Sequence, residues 1–214
     1  MNSKAKRITT IAMLCAISYA VMAVGRVPVV LFLKYDPKDV IITLGGLIWG
    51  PFTAFIVSVI VSFIEMFSVS DTGIIGCVMN ILSTCAFACT ASIIYKEKHS
   101  LAEATTGLLA GSLVMTSVML IWNYLITPFY MSYPREAVAE LLLPAFLPFN
   151  LIKSGLNAAF TFLLYKPVIT ALRKSGYLSA SGQSPRRRHT GMILFSVTVA
   201  VTCILLILSM NGIL

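Results

Sequence analysis

Residues 147–165 read LPFNLIKSGLNAAFTFLLY, an apolar run that carries three strongly polar side chains. Asn150, Lys153 and Asn157 are spaced i, i+3 and i+7, so on a helix they point along one face. A polar group inside a bilayer is costly and is a functional candidate by default. The segment therefore predicts a membrane-spanning helix with a polar binding face. The alternative is that Lys153 snorkels to the outer interface.

The chain as a whole has the composition of a protein embedded in lipid. Of 214 residues, 58% are hydrophobic and only 11% are charged, whereas soluble domains carry about 25% charged residues. Because lipid offers backbone groups no hydrogen bonds and the apolar runs do not alternate with period two, helices are the expected spanning elements. The composition predicts an all-α integral membrane protein.

Charges and Gly/Pro turns divide the chain into seven candidate spans. They cover about 8–25, 39–49, 52–69, 74–95, 104–127, 144–172 and 191–211. A full span needs about 17–25 residues, so the second and third are short, tilted or partly re-entrant. Gly50-Pro51 forms the turn before the third span, and Thr127-Pro128 ends the fifth. We expect a six-helix domain over 1–174, a polar basic linker over 175–190 and an additional transmembrane helix within 191–214.

The basic residues indicate the orientation of these spans. With the N-terminus in the cytoplasm, eleven of the sixteen Lys and Arg residues lie in inner segments. Four lie in outer segments: Arg26, Lys34, Lys38 and Arg135. This bias predicts a multi-pass protein of the cell membrane with a cytoplasmic N-terminus and an extracellular C-terminus. Because the basic residues cluster at the ends of apolar runs, they do not indicate nucleic-acid binding.

The fifth span contains Trp122-Asn123-Tyr124, an amide between two aromatic side chains. Asparagine offers both donors and acceptors, which suits a heterocyclic ligand, and Tyr124 would contribute to the same site. An interhelical hydrogen bond with Trp122 and Tyr124 in the interfacial belt explains the pattern equally well.

Three further polar residues are candidates for the interior site: Asn80 in the fourth span, Glu65 in the third and Asp39 at the start of the second. Glu65 is either solvated at the outer end of its span or paired with Lys153, which would relieve the cost of burying both charges. Asp39 is expected to cap the second helix. The charged loop before it, residues 32–39, is a possible lid over a ligand.

Catalytic and metal-binding patterns are missing from the sequence. It contains no Walker A motif, GxSxG or HExxH, and both histidines lie in predicted loops. The five cysteines lie in apolar segments without a CxxC pair, which argues against a disulfide framework or a zinc site. The protein is therefore not expected to be an enzyme, and energy for any transport must come from a partner or a gradient.

These features resemble the riboflavin-specific substrate-binding (S) components of energy-coupling-factor (ECF) vitamin transporters. The resemblance covers about residues 8–173. Its specific pieces are FLKYDPKDV and the GGLIWGP turn within 31–51, WNYLITPFY at 122–130 and LPFNLIKSGLN at 147–157. Ala12 and Ala16 form a small-residue face, weak by itself, which resembles the alanine motif that contacts the coupling subunit in this family.

The resemblance implies a six-helix bundle that binds riboflavin as its transported ligand, with no cofactor. The vitamin would lie near the outer side, under the loop between the first two helices. Asn123, Asn150 and Lys153 match positions that hold the flavin by hydrogen bonds. One coupling membrane subunit and two ATPase subunits would complete the transporter. The seventh span and the Arg186–Arg188 linker depart from the six-helix pattern.

Two other readings remain open at this point. One is an S component for a different water-soluble vitamin. The other is a self-sufficient secondary transporter with Glu65 or Lys153 as a proton site, although such carriers usually show internal repeats and none is convincing here. A structural protein or a membrane enzyme fits less well, because the first needs no polar stripe and the second needs a catalytic constellation.

Overall fold

The chain folds into seven helical rods and one short β-hairpin over the residues that this computed structural model describes, which are 3–30, 33–70, 72–97, 100–176 and 190–210. In chain order the elements are α1 (Ser3–Gly25), β1 (Val27–Val30), β2 (Leu33–Tyr35), α2 (Lys38–Trp49), α3 (Pro51–Ser68), α4 (Gly73–Lys96), α5 (Leu101–Met131), α6 (Arg135–Leu141), a π-helical turn (Leu142–Phe146), α7 (Leu147–Lys174) and α8 (Thr190–Met210). The prediction of a helical membrane protein is confirmed. Most of the expected linker, residues 177–189, lies outside the described residues.

Five helices in the described part of the chain are long and apolar enough to cross a membrane. They are Lys4–Gly25, Pro51–Ser68, Gly73–Lys96, Ala102–Phe129 and Arg135–Lys174. α2 has 12 residues, a length of about 18 Å that is well short of a bilayer core of about 30 Å. The apolar stretch Ile193–Ser209 of α8 is also shorter than the five.

The distribution of side chains is that of a protein surrounded by hydrocarbon. Large apolar side chains point outward, as in Val24, Phe67 and Phe129, which are 91%, 75% and 74% exposed. Several charged and amide side chains are buried between the helices instead. The most deeply buried are Lys38, Asp39, Glu65, Asn123, Asn150 and Asn157. In water this arrangement would be unfavourable, but in lipid it removes polar groups from the medium that cannot solvate them.

Two predicted helix boundaries were wrong for the same reason. Pro128 does not end the fifth span, since α5 continues to Met131 and stops where Ser132 takes a left-handed conformation. Pro144 does not begin the sixth, since α6 already starts at Arg135 and a π-helical turn carries the helix past the proline. Neighbouring helices and local π geometry let membrane helices tolerate a proline that would break a soluble one.

α4 and α5 approach each other closely. A Cβ atom on Gly107 would lie 2.7 Å from the carbonyl oxygen of Ala91, and one on Gly111 would lie 2.7 Å from that of Phe87. The two glycines form a GxxxG pair, which lets helix backbones approach closely in a membrane. α4 also packs on α2 and α3, and α7 packs on α2, α5 and α8, so the polar stripe of α7 faces the other helices.

The β-hairpin replaces part of the loop expected between the first two spans. β1 pairs antiparallel with β2, with Val27 opposite Tyr35 and Pro28 opposite Lys34. Its buried side chains, Val29, Leu33 and Tyr35, belong to an apolar cluster that also contains residues of α6, α7 and α8. The hairpin is thereby held across the helical bundle next to the polar interior.

Candidate ligand-binding site

A cavity of about 150 Å³ lies between the hairpin and helices α3, α4, α5 and α7. One part of its wall is polar and includes five of the predicted site residues. The polar lining consists of Arg26, Lys34, Asp36, Glu65, Ser70, Thr72, Asn80, Ser83, Asn123, Asn150 and Lys153. The rest of the wall is apolar and consists of Leu33, Met79, Met119 and Phe149. A pocket with placed polar groups among apolar side chains is the usual design of a small-molecule site.

The polar stripe of α7 reaches this cavity with two of its three members. Asn150 and Lys153 line the wall and are 1% and 5% exposed. The Asn150 amide donates to the carbonyl oxygen of Phe146 at 2.8 Å. The Lys153 ammonium lies 3.3 Å from an Asp39 carboxylate oxygen and 3.4 Å from Ser83 Oγ. Lys153 is therefore turned into the protein, and the snorkelling alternative does not describe it.

Asp39 and Asn157 stand behind Lys153 and are not part of the cavity wall. Asp39 Oδ1 accepts a hydrogen bond from Thr84 Oγ1 at 2.7 Å, and Asp39 Oδ2 accepts one from Asn157 Nδ2 at 3.3 Å. Asp39 does lie in the first turn of α2, where a carboxylate is favourable, but its oxygens bond to α4 and α7. The expected role as the helix cap is wrong, because the cap position is Pro37.

Glu65 is the centre of a second cluster of charges at the cavity. It is 1% exposed and accepts hydrogen bonds from Arg26, from Lys38 and, at 3.0 Å, from the Asn80 amide. Arg26 Nε also lies 2.6 Å from Asp36 Oδ1. Neither alternative for Glu65 describes this arrangement, since the carboxylate is not solvated and its ion pairs are with Arg26 and Lys38.

The buried charges around the cavity compensate one another. Three cations and three anions take part: Arg26, Lys38 and Lys153 with Asp36, Asp39 and Glu65. Desolvating a charge is expensive, and a nearby opposite charge with hydrogen bonds offsets that cost. These six groups need no charged ligand for neutrality as a set.

The salt bridge at the base of the hairpin is ionised at neutral pH. Burial by itself would raise the pKa of Asp36, but Lys38, Arg26 and Lys153 together lower it below its ordinary value. Burial would likewise lower the pKa of Arg26, and the carboxylates of Asp36 and Glu65 raise it instead. The hairpin is thus attached to α3 through the ion pairs of Arg26.

The Asn123-Tyr124 pair is divided between two environments. Asn123 lines the cavity and is fully buried; its amide donates to Met119 O at 2.7 Å and accepts from Thr127 Oγ1 at 3.1 Å. Tyr124 is 39% exposed, and the Arg135 guanidinium lies over its ring at 5.8 Å. The prediction that Tyr124 lines the site is wrong, because consecutive residues of a helix point about 100° apart. The interhelical bond considered for Asn123 is also not observed, since both of its bonds are within α5.

Sequence reasoning missed several lining residues and the partners of Glu65. The sequence places Arg26 and Lys38 among the outer basic residues, and only the fold shows that they bind a buried carboxylate. Ser83 could have been found, because it lies at i+3 from Asn80 and so shares its face of α4. No comparable polar signal marks Met79 or Phe149.

The predicted partner surface is exposed. Ala12 and Ala16 lie on the outward face of α1, and Ala20 extends that face by one turn. The opposite face carries the buried residues Leu14 and Ser18. A helix of another subunit could therefore approach α1 closely along the alanine face.

The sequence matches known transporters over most of its length. A family model for the ECF transporter substrate-specific component matches residues 6–165. The riboflavin transporter RibU of Staphylococcus aureus (strain TCH60) is 31% identical over 179 residues, which cover 79% of this chain and 93% of the relative. The riboflavin transporter FmnP of Bacillus subtilis (strain 168) is 28% identical over 188 residues, which cover 80% and 98%.

The fold leads to the same family. A solved structure of the S component of a bacterial ECF transporter superposes with a TM-score of 0.67 and 30% identity, covering 80% of this chain and 99% of that one. This family consists of transporter subunits that span a membrane and bind substrate, and its members are not enzymes. The chain therefore belongs to the substrate-specific components of ECF transporters.

Proposed function

We propose that this chain captures riboflavin for an ATP-driven importer and holds it in the cavity beneath the hairpin. The observation that carries the proposal is the cavity wall itself, where Asn80, Asn123 and Asn150 stand among Met and Phe side chains. A flavin ring has two apolar faces and an edge of alternating donors and acceptors, which amides can match. Two relatives of this chain, RibU and FmnP, are riboflavin transporters, which supports the same ligand.

The balance of the six paired charges suits an uncharged ligand, although Lys34 also lines the cavity. Riboflavin carries no net charge at neutral pH, and the six buried ionic groups compensate one another without it. The cavity of about 150 Å³ is smaller than the roughly 300–1,000 Å³ typical of such sites. We therefore expect the hairpin and the neighbouring side chains to move outward when the vitamin enters.

The predicted site residues then fall into three roles. Asn123, Asn150 and Lys153 hydrogen-bond the flavin, and Asn80 and Glu65 complete the polar wall. Asp39 and Asn157 act indirectly. Asp39 holds the Lys153 ammonium group in place, and Asn157 donates a hydrogen bond to Asp39. Tyr124 has no role in the site.

The assembly and topology belong to the same proposal. The exposed Ala12 and Ala16 would contact the coupling membrane subunit, and two ATPase subunits would supply the energy. The N-terminus would be cytoplasmic and the C-terminus extracellular, with a binding domain over 1–174, a linker over 175–190 and an extra helix within 191–214. Arg26 and Lys38 form ion pairs with Glu65. Of the four basic residues in outer segments, only Lys34 and Arg135 therefore count against this orientation.

The test of the ligand is to purify the protein from cells grown in rich medium and record its absorbance. We expect a yellow flavin spectrum, and quenching of flavin fluorescence when riboflavin is added to the ligand-free protein. Other water-soluble vitamins, such as thiamine and biotin, should neither bind nor compete. Binding of one of these with no response to riboflavin would contradict the ligand and leave the family unchanged.

A further inference from the structure

The C-terminal helix α8 lies beyond the part of the chain that the family accounts for. The family model ends at residue 165, and a fifth of this chain has no counterpart in the solved S component, although 99% of that chain is matched. An added helix that only anchored the protein would need no particular contact with the binding domain. α8 nevertheless packs on α7 and also touches β1 of the hairpin.

α8 buries one stripe and leaves the rest of its surface exposed. Ser196, Ala200, Cys203 and Ile207 are 6–8% exposed, and their spacing of four, three and four residues places them on one helix face. The neighbouring Phe195, by contrast, is 65% exposed. The helix is therefore docked in one fixed orientation.

The buried stripe meets α7 at a glycine. A Cβ atom on Gly155 would lie 3.2 Å from Cys203 Sγ and 3.9 Å from Val199 Cγ1, and among the described residues it would meet nothing else within 4 Å. The small residue lets the two helices approach closely. Gly155 thus faces α8, whereas Asn150 and Lys153 on the same helix line the cavity.

The same stripe also meets the hairpin. Ala200, Cys203 and Ile207 form one apolar cluster with Val29, Leu33 and Tyr35. Leu33 belongs to this cluster and at the same time lines the cavity, so the cluster that α8 joins reaches the ligand site. A two-stranded hairpin is marginally stable by itself, and its conformation depends on what it packs against.

We propose that α8 is a clamp on the hairpin, in which Cys203 and Ile207 are positioning residues that hold the β1–β2 strands over the cavity and slow the escape of the ligand. The Arg26 salt bridges attach the base of the hairpin to α3, and α8 supports its apolar side. Opening the cavity then requires the hairpin to leave the α7–α8 cluster. The clamp rests on the proposed function, because its test measures the escape of riboflavin from the cavity.

The test separates α8 from α7 without touching the cavity. In Gly155→Leu the new side chain displaces α8, and in Ile207→Ala the contact is reduced more gently; Ile204→Ala, on the exposed face of α8, is the control. Two quantities are measured on the full-length protein: hydrogen exchange of the β1 and β2 amides without ligand, and the riboflavin dissociation rate from fluorescence recovery. We expect both to rise about tenfold in the two test variants, which corresponds to about 1.4 kcal/mol, with an unchanged association rate.

Each outcome bears on one proposal. If the unmodified protein does not bind riboflavin, the proposed ligand fails, while the exchange of the ligand-free hairpin still tests the clamp. If the protein binds riboflavin but Ile207→Ala and Gly155→Leu match Ile204→Ala in both measurements, the clamp is overturned. If Gly155→Leu does not fold, Ile207→Ala decides alone. A slower association rate with unchanged dissociation also contradicts the clamp, because a hairpin support acts on escape.

Discussion

At the scale of single residues, the site contains buried charges that depend on their ion-pair partners and amides that do not depend on such partners. Lys153 and Asp39 form a buried pair with a separation of 3.3 Å, and removing one partner of such a pair typically costs about 3–5 kcal/mol because the other charge stays buried. Asn150 bonds to the backbone of its own helix. Substitutions of the two α7 residues should therefore differ in their effect on folding.

Asn150→Ala is expected to lower riboflavin affinity at least about tenfold, the loss of one well-placed hydrogen bond, with little change in thermal stability. Fluorescence titration and a melting curve in detergent measure the two effects. Leu151→Ala, on the half-exposed neighbouring residue, is the control.

Lys153→Ala should lower both affinity and stability, and adding Asp39→Asn should restore stability but not affinity. Unchanged binding in both single variants would remove Asn150 and Lys153 from the site.

The hairpin salt bridge should give the protein a stability that depends on acid pH. Because the pKa of Asp36 is lowered in the folded protein, its contribution is complete above the ordinary value of 3.8 and is lost as the pH falls through the lower folded value. Melting temperatures between about pH 6 and pH 3 measure the loss. Asp36→Asn should be less stable near neutral pH and flatter below about pH 4. An identical profile in the variant would show that Asp36 does not carry the effect.

At the scale of the elements, the α4–α5 contact is the place where a side chain cannot be added. Gly111→Leu would push a side chain into the Phe87 carbonyl oxygen, which is backbone and cannot move aside. We expect a loss of at least about 1–3 kcal/mol, the usual cost of overpacking, measured as a lower melting temperature. Ser117→Leu makes a similar change on the exposed face of α5 and should be neutral. Equal melting temperatures would show that the two helices can separate freely.

The helix ends show how tertiary surroundings override local signals. Pro128 and Pro144 lack an amide hydrogen and are read from sequence as helix boundaries, yet both lie inside continuous helices. The short α2 is different, because its 12 residues between Pro37 and Gly50 were predicted closely from turn residues alone. Turn residues act on the local backbone. Whether a proline ends a membrane helix depends instead on whether neighbouring helices satisfy the backbone groups that it frees.

At the scale of the whole molecule, the proposed partner surface and the proposed ligand site lie on different parts of the protein. Ala12→Leu and Ala16→Leu should leave riboflavin affinity unchanged, since both side chains point outward from α1. Uptake of riboflavin by cells that also contain the coupling and ATPase subunits should fall about tenfold, because the larger side chains prevent close helix contact. Ala139→Leu, also exposed, is the control. Normal uptake in both variants would move the partner surface away from α1.

The sequence by itself determined the lipid environment, the helical spans and the polar stripe of α7, because composition and periodicity are local properties of the chain. Only the tertiary structure decided the partners of those polar groups. Arg26 meets Glu65 from 39 residues away, and Asn157 meets Asp39 from 118 residues away. The docking of α8 beside the hairpin has the same origin. The spacing of residues along a helix shows which face is polar. The group that faces it across the bundle depends on how separate helices pack, and local spacing does not show that packing.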